Sequence, residues 1–314
     1  MSDKKIIAVV GATGSQGGGL AHAILDDPDS EFAVRALTRN PSSAAAQALA
    51  ARGAEVVAAD LDDPDSVRKA FDGAYGAFAV TAFWEYNSVE REQAHVRAVV
   101  DAAKATGLQH VIWSTLPDTR LHVPLEDDRM PTLHGKYKVP HFDSKGESDQ
   151  VFLDAGVPTT FLSTTMYFDS FTTFAHPVRA EDGTLVLTLP MSDSPLPSVA
   201  AEDIGRTALG ILTAGTKLVG ETVGVSGEIA TGEEYAAKLS EIFGEKIEYR
   251  PMSPADVRAL GFPGADDTAN MFQYYAEFSD YFTRSRLPEN VRALNPRLQD
   301  FSTWLRGNRD KFRI

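Results

Sequence analysis

The chain has 314 residues, 43% of them hydrophobic, which is enough for a full α/β core with a small additional lobe. Its formal charge of −14 argues against nonspecific binding to nucleic acid or to an anionic membrane, while a local basic pocket stays compatible with it. Having no cysteine, it is excluded from disulfides, thiolate nucleophiles, thiol redox sensing and cysteine-ligated metal.

Ile6, Ile7, Val9 and Val10 form a short β-branched run suited to a buried parallel strand, and Leu20, Ala21, Ile24 and Leu25 recur at helical spacing. Between them lies Gly11-Ala12-Thr13-Gly14-Ser15-Gln16-Gly17-Gly18-Gly19. Gly11 permits a tight turn, Gly14 lets backbone N–H groups approach phosphate oxygens, and Gly17 allows the helix to pack close to the strand. With a helix N-terminus behind it, this loop points to a dinucleotide. The next strand is expected at Ala33–Thr38 and ends in Arg39-Asn40-Pro41, where NAD-preferring proteins usually carry an acidic residue. Arg39 suits a 2′-phosphate instead, because guanidinium is permanently charged and bonds phosphate in pairs.

Further strands are expected at Glu55–Ala58, Ala77–Val80 and His110–Ser114, separated by helices at Ser43–Arg52, Asp65–Phe71 and Ser88–Thr106. That alternation predicts a doubly wound, parallel Rossmann sheet with right-handed crossovers. Ligands should gather beyond the strand carboxyl ends, where Asp60-Leu61, Thr81-Ala82-Phe83 and Ser114-Thr115 fall. From Leu116 to Pro140 the pattern breaks into a long loop, readable as a substrate lid or as a surface insertion. A helix is expected to resume at Phe142–Leu153 and a sixth strand at Thr159–Leu162, after which Met166-Tyr167-Phe168 brings aromatics toward the expected nicotinamide end.

Gly183–Pro190 suggests a small strand outside the first sheet, Ser198–Gly205 the start of a helix, and Thr222–Val225 a further strand. Thr231 to Ile314 reads largely as helices, with Phe272, Tyr274, Tyr275 and Phe278 expected in the core. The expected organisation is a Rossmann domain over 1–160, with returning elements near 198–226, interleaved with a smaller, mostly helical lobe over 161–314. There is no secretory leader pattern and no apolar run long enough to span a bilayer, so a cytoplasmic location is expected. His122 and His134 have no partners at zinc-ligand spacing, so no metal is expected.

Four separated stretches, Gly11–Gly18, Thr38–Pro41, His141–Glu147 and Gly261–Ala265, resemble the NmrA-like family and especially its HSCARG branch, which are atypical short-chain dehydrogenase/reductase relatives. The resemblance extends through Trp304-Leu305. It implies an NADP-binding Rossmann domain with a smaller C-terminal lobe, in a family holding both redox-sensing regulators and NADPH-dependent reductases. It further implies a phosphate loop of Gly11, Thr13, Gly14, Ser15, Gln16 and Gly17, with Arg39 at the 2′-phosphate. Asp60 and Leu61 would approach adenine, and Thr81, Ala82 and Phe83 would line the path to the pyrophosphate. Lys145 would contact the nicotinamide ribose, with Thr164, Thr165, Met166 and Tyr167 beside the nicotinamide. Ser42 and Ser43 depart from the basic residues that close relatives carry after this proline.

Short-chain dehydrogenases use a serine, a tyrosine and a lysine. Ser114 and Lys145 suit the first and last roles, but the position four residues before Lys145 is His141. His141 is open to three readings: a proton donor, a cofactor-binding or loop-positioning residue, or a packing histidine. Tyr137 stands at the wrong spacing. Two functions follow. One is an NADP(H)-binding redox sensor with no or weak dehydrogenase activity, acting on a regulatory protein partner. The other is an NADPH-dependent reductase of a small quinone, enone or carbonyl. A homodimer is compatible with either.

Overall fold

The structure is a computed structural model that describes residues 4–313. In chain order the first half runs β1 (Lys5–Val9), α1 (Ser15–Leu25), β2 (Phe32–Thr38), α2 (Ala44–Ala51), β3 (Glu55–Ala58), α3 (Pro64–Phe71), β4 (Gly76–Ala79), α4 (Phe83–Tyr86), α5 (Val89–Thr106), β5 (His110–Thr115), α6 (Pro140–Ala155) and β6 (Thr159–Ser163). It continues with β7 (Met166–Tyr167), β8 (Val178–Arg179), β9 (Leu185–Leu187), β10 (Leu196–Val199), α7 (Ala201–Thr213), β11 (Thr222–Gly224), β12 (Glu228–Ala230), α8 (Gly232–Phe243) and β13 (Ile247–Tyr249). Among the described residues five α-helices follow: α9 (Pro254–Ala259), α10 (Ala265–Glu277), α11 (Ser279–Arg284), α12 (Pro288–Arg292) and α13 (Phe301–Gly307).

A seven-stranded sheet has the order β11-β6-β5-β4-β1-β2-β3, with β1 to β6 paired in parallel. The order reverses between β1 and β4, the switch point at which open α/β sheets leave a crevice beyond their carboxyl ends. Local chemistry sets the helix starts: Ser43, Asp63 and Ser88 each accept a hydrogen bond from a first-turn N–H of α2, α3 and α5. Trp113, Phe152, Phe71 and Phe161 fill the core of this sheet and its helices.

The chain divides into two compact units. The first comprises residues 1–118, 144–164 and 201–223; the second comprises 119–143, 165–200 and 224–314. In the first unit α7 returns to pack on α1, and glycines make the crossing close. A Cβ on Gly205 would stand 2.0 Å from the Leu20 nitrogen, and one on Gly19 would stand 2.8 Å from the Glu202 oxygen.

In the second unit two three-stranded sheets, β12-β10-β7 and β13-β9-β8, accompany the helices. Ser198 and Val199, expected to open a helix, instead end β10, and the helix begins at Ala201. Both pair in parallel with Met166–Tyr167, and Ser198 also pairs with Glu228, so partners distant in sequence hold them in a strand. The stretch after Thr231 contains β13 as well as helices, because Ile247–Tyr249 finds a parallel partner in Leu185–Leu187. Phe272, Tyr274 and Tyr275 are buried as expected, and Phe278 stacks on Tyr274.

The 116–139 loop is held by specific polar contacts. The ammonium of buried Lys138 donates to the carbonyls of Leu125, Asp127 and Met130 at 3.1, 2.8 and 2.7 Å. Asp143 accepts from the backbone N–H groups of Thr119, Lys138 and Val139, and Asn270 on α10 donates to the carbonyls of Pro131 and Lys138. Tyr137 is 1% exposed, so its ring belongs to the packing of this loop.

Candidate functional site

The turn after β1 has the backbone a phosphate cradle needs. Gly11 is left-handed at φ +65°, and Gly14 is the N-cap of α1 with no side-chain cap bond. A Cβ on Gly17 would come within 2.5 Å of the Gly11 carbonyl oxygen, so helix and turn approach at the backbone. No acidic side chain occupies the first turn of α1, leaving its positive end unopposed.

Beside this turn lies a cavity of about 340 Å³ lined by Gly11 and Thr13 after β1, Arg39 after β2, Asp60 and Leu61 after β3, and Ala82 after β4. Four strand ends therefore converge on it, which fits the adenosine half of a dinucleotide. Gly14, Ser15, Gln16, Gly17, Thr81, Phe83 and Lys145 belong to the same unit without lining the cavity. Thr164 closes the 144–164 segment of the first unit, while Thr165, Met166 and Tyr167 lie in the second.

The cavity wall is more charged than the sequence reading anticipated. Arg39 Nη1 donates to Glu85 Oε1 at 2.5 Å and to the Tyr86 hydroxyl at 2.6 Å. Glu85, Tyr86 and His95 also line the wall. Asp62 pairs with Arg91 and, at 2.9 Å, with His95 Nε2; these bonds hold its carboxyl below the usual carboxylate range. The Arg91 guanidinium in turn lies 3.5 Å from the Tyr86 ring centroid. The Arg39 and Asp62 contacts have no local sequence signature, since they join residues 29 to 47 positions apart.

Ser114 and Lys145, the two expected catalytic positions of this unit, have defined partners. Ser114 Oγ donates to Gln16 Oε1 at 2.7 Å, tying β5 to the glycine turn. The Lys145 ammonium lies 2.7 Å from Glu92 Oε1 and donates to Thr81 Oγ1 at 2.6 Å, and Thr81 donates onward to Glu92. All three are buried. Glu92 was absent from the sequence reading, although it sits in the first turn of a helix, where a carboxylate is ordinary.

One turn further along α6, Asp149 accepts from Trp113 Nε1 at 2.9 Å and from Thr115 Oγ1 at 2.6 Å. Burial pushes its carboxyl up to about 7, against the lowering effect of those donors and of Lys145. An unfolded aspartate titrates near 3.8, so the folded protein holds this proton more tightly. The associated stability is fully present below about pH 4 and is lost as pH rises through about 7. Asp149→Asn keeps an oxygen for both donors but has nothing to titrate. Urea unfolding at pH 5.0 and 7.5 should show the wild type losing on the order of 2 kcal/mol more than the variant across that interval. Parallel losses in both proteins would refute the assignment.

In the second unit, His141 Nδ1 lies 2.6 Å from Asp267 Oδ1, and its backbone N–H donates to Asp267 Oδ2 at 3.2 Å. Both residues are buried, so the carboxylate fixes the ring's orientation and tautomer. Asp267 lies 126 residues away in sequence, with nothing local to mark it. His122 Nδ1 is 2.9 Å from the Tyr274 hydroxyl within an aromatic cluster. Among the described residues no group of three His, Cys, Asp or Glu side chains could hold a metal ion, and no helix is long and apolar enough to cross a membrane.

The profile of the NmrA-like family matches residues 3–305. An NmrA-like family domain-containing oxidoreductase, FrzB, of a Cladobotryum species is 29% identical over 289 residues, covering 86% of this chain and 83% of its own. Among solved structures, NmrA, a negative transcriptional regulator in complex with NADP, superposes with a TM-score of 0.75 at 23% identity, covering 97% of this chain and 95% of that one. An Escherichia coli NADPH-dependent quinone oxidoreductase complexed with NADPH superposes with a TM-score of 0.74 at 23% identity, covering 96% and 99%.

Proposed function

This chain belongs to the NmrA-like family, and from that premise we propose that it binds NADP(H) at the head of its parallel sheet and acts as a redox-sensing regulatory protein with little or no dehydrogenase activity. The observation carrying the reading is Arg39, which lines the same cavity as Gly11 and Thr13 of the glycine turn. A permanent cation at the end of the second strand suits a 2′-phosphate, and the turn suits the pyrophosphate. Structural relatives crystallised with NADP and NADPH support NADP(H) binding, while NmrA is also solved in complex with NAD, so the preference rests on Arg39.

The regulatory side rests on the proton-donor position. Four residues before Lys145 stands His141, and the nearest upstream tyrosine, Tyr137, is packed away. Lys145 itself is committed to Glu92 and Thr81. The motifs resembling the HSCARG branch support a sensing role by resemblance. Bound NADPH supplies a hydride, and what this chain must add for catalysis is a positioned proton.

The His141–Asp267 pair favours a second reading, an NADPH-dependent reductase of a small quinone, enone or carbonyl, because an imidazole anchored through one ring nitrogen by a carboxylate can present the other for proton transfer. Two measurements separate the readings. Calorimetry should find NADPH bound more tightly than NADH, with Arg39→Ala weakening NADPH about tenfold or more and NADH less than twofold. Equal affinity of the intact protein for both nucleotides would overturn the 2′-phosphate assignment. NADPH oxidation assayed across quinones and small carbonyls is expected to show no turnover. Turnover that His141→Phe abolishes while NADPH binding persists would replace the sensor with the reductase.

A further inference from the structure

The guanidinium offered to a 2′-phosphate already has an anion on it. Arg39 Nη1 donates at once to Glu85 and to Tyr86, both from the four-residue helix α4. The Glu85 carboxyl is drawn below its ordinary range by that bond. The two ends of the contact are held differently. Tyr86 is braced by the Arg91 guanidinium on its ring face and by His95 at its edge, whereas Glu85 and Arg39 are 40% and 55% exposed at their side chains. A solute entering the cavity therefore meets an ion pair that water already reaches.

A ribose 2′-phosphate is a dianion, and to reach the guanidinium it must come against the Glu85 carboxylate already held on Nη1, so two like charges meet at one cation. A ribose 2′-hydroxyl is neutral and makes no such demand. Resting on the nucleotide reading above, we propose that Glu85 sets this protein's discrimination between phosphorylated and plain adenosine ribose, by competing with a 2′-phosphate for Arg39 and leaving a 2′-hydroxyl unopposed. The preference of Arg39 for phosphate is thereby set below what an unpaired arginine would give.

The test is titration calorimetry of the full chain with NADP⁺, NAD⁺ and adenosine 2′,5′-bisphosphate. Glu85→Gln removes the competing charge from an exposed side chain. It is expected to tighten NADP⁺ and the bisphosphate about fivefold and NAD⁺ less than twofold, the gain being capped because exposed pairs are weak. In 0.5 M salt the gain should shrink, as screening requires. Tyr86→Phe removes a neutral acceptor of the same guanidinium and should alter the NADP⁺ to NAD⁺ ratio less than twofold. If Glu85→Gln moves all three ligands alike, or weakens NADP⁺, Glu85 is not the discriminator even though the nucleotide site stands. Should the wild type bind neither dinucleotide, the nucleotide reading fails and this inference falls with it.

Discussion

Gly205→Ala is expected to lower stability by about 3 kcal/mol or more, and the apparent melting temperature by roughly 6–12 °C. The added Cβ would stand 2.0 Å from the Leu20 nitrogen and 2.2 Å from the Gly19 carbonyl carbon, both backbone atoms of α1. No rotamer relieves a backbone overlap, so α7 must move away from α1. α1 is the helix that follows the glycine turn, and the separation exposes Leu20, Ile204 and Ala208, all of them fully buried. Gly307→Ala supplies the control: nothing lies within 4 Å of its Cβ position, and it ends helix α13. That change should be neutral or slightly stabilising, since alanine surrenders less backbone entropy in a helix. Differential scanning calorimetry of the two variants decides the matter. Equal melting temperatures would mean that the close α1–α7 crossing is not what holds residues 201–223 in the first unit.

Lys145→Met should destabilise the protein by about 3 kcal/mol, because it strands the Glu92 carboxylate at 2% exposure with one uncharged donor, Thr81. The loss belongs to the unpaired charge more than to the lysine. Adding Glu92→Gln to the lysine variant is therefore expected to recover at least half of it, a coupling well outside additivity. Urea unfolding of the wild type, both single variants and the double variant closes the cycle. Additive free energies would show that the two side chains do not stabilise one another, despite their 2.7 Å separation. The same variants should weaken NADPH binding through Thr81, since all three side chains hold the end of β4 against α6.

The alternating strands and helices of the first unit were legible because their period and their caps are local. Glu55–Ala58 was bounded to the residue, and Ser43 and Ser88 mark helix starts through a bond to an N–H three residues on. Gly11, Gly14 and Gly17 were legible for the same reason, as a turn between a strand and a helix. The short strands of the second unit were not. Met166–Tyr167, Val178–Arg179 and Glu228–Ala230 are two or three residues long, below the length at which alternation can be told from chance; the first and last exist because the distant β10 pairs with both, and Val178–Arg179 because it pairs across a turn with β9.

The amino-acid sequence alone determined the strand–helix alternation, the glycine turn and the cation after the second strand, since each depends on spacing within about a dozen residues. Tertiary structure alone decided what those groups touch. Glu85 on Arg39, Glu92 on Lys145 and Asp267 on His141 come from 46, 53 and 126 positions away. A carboxylate's partner is fixed by where chain packing brings a cation and by what burial costs an unpaired charge, and neither is written in the residues beside it.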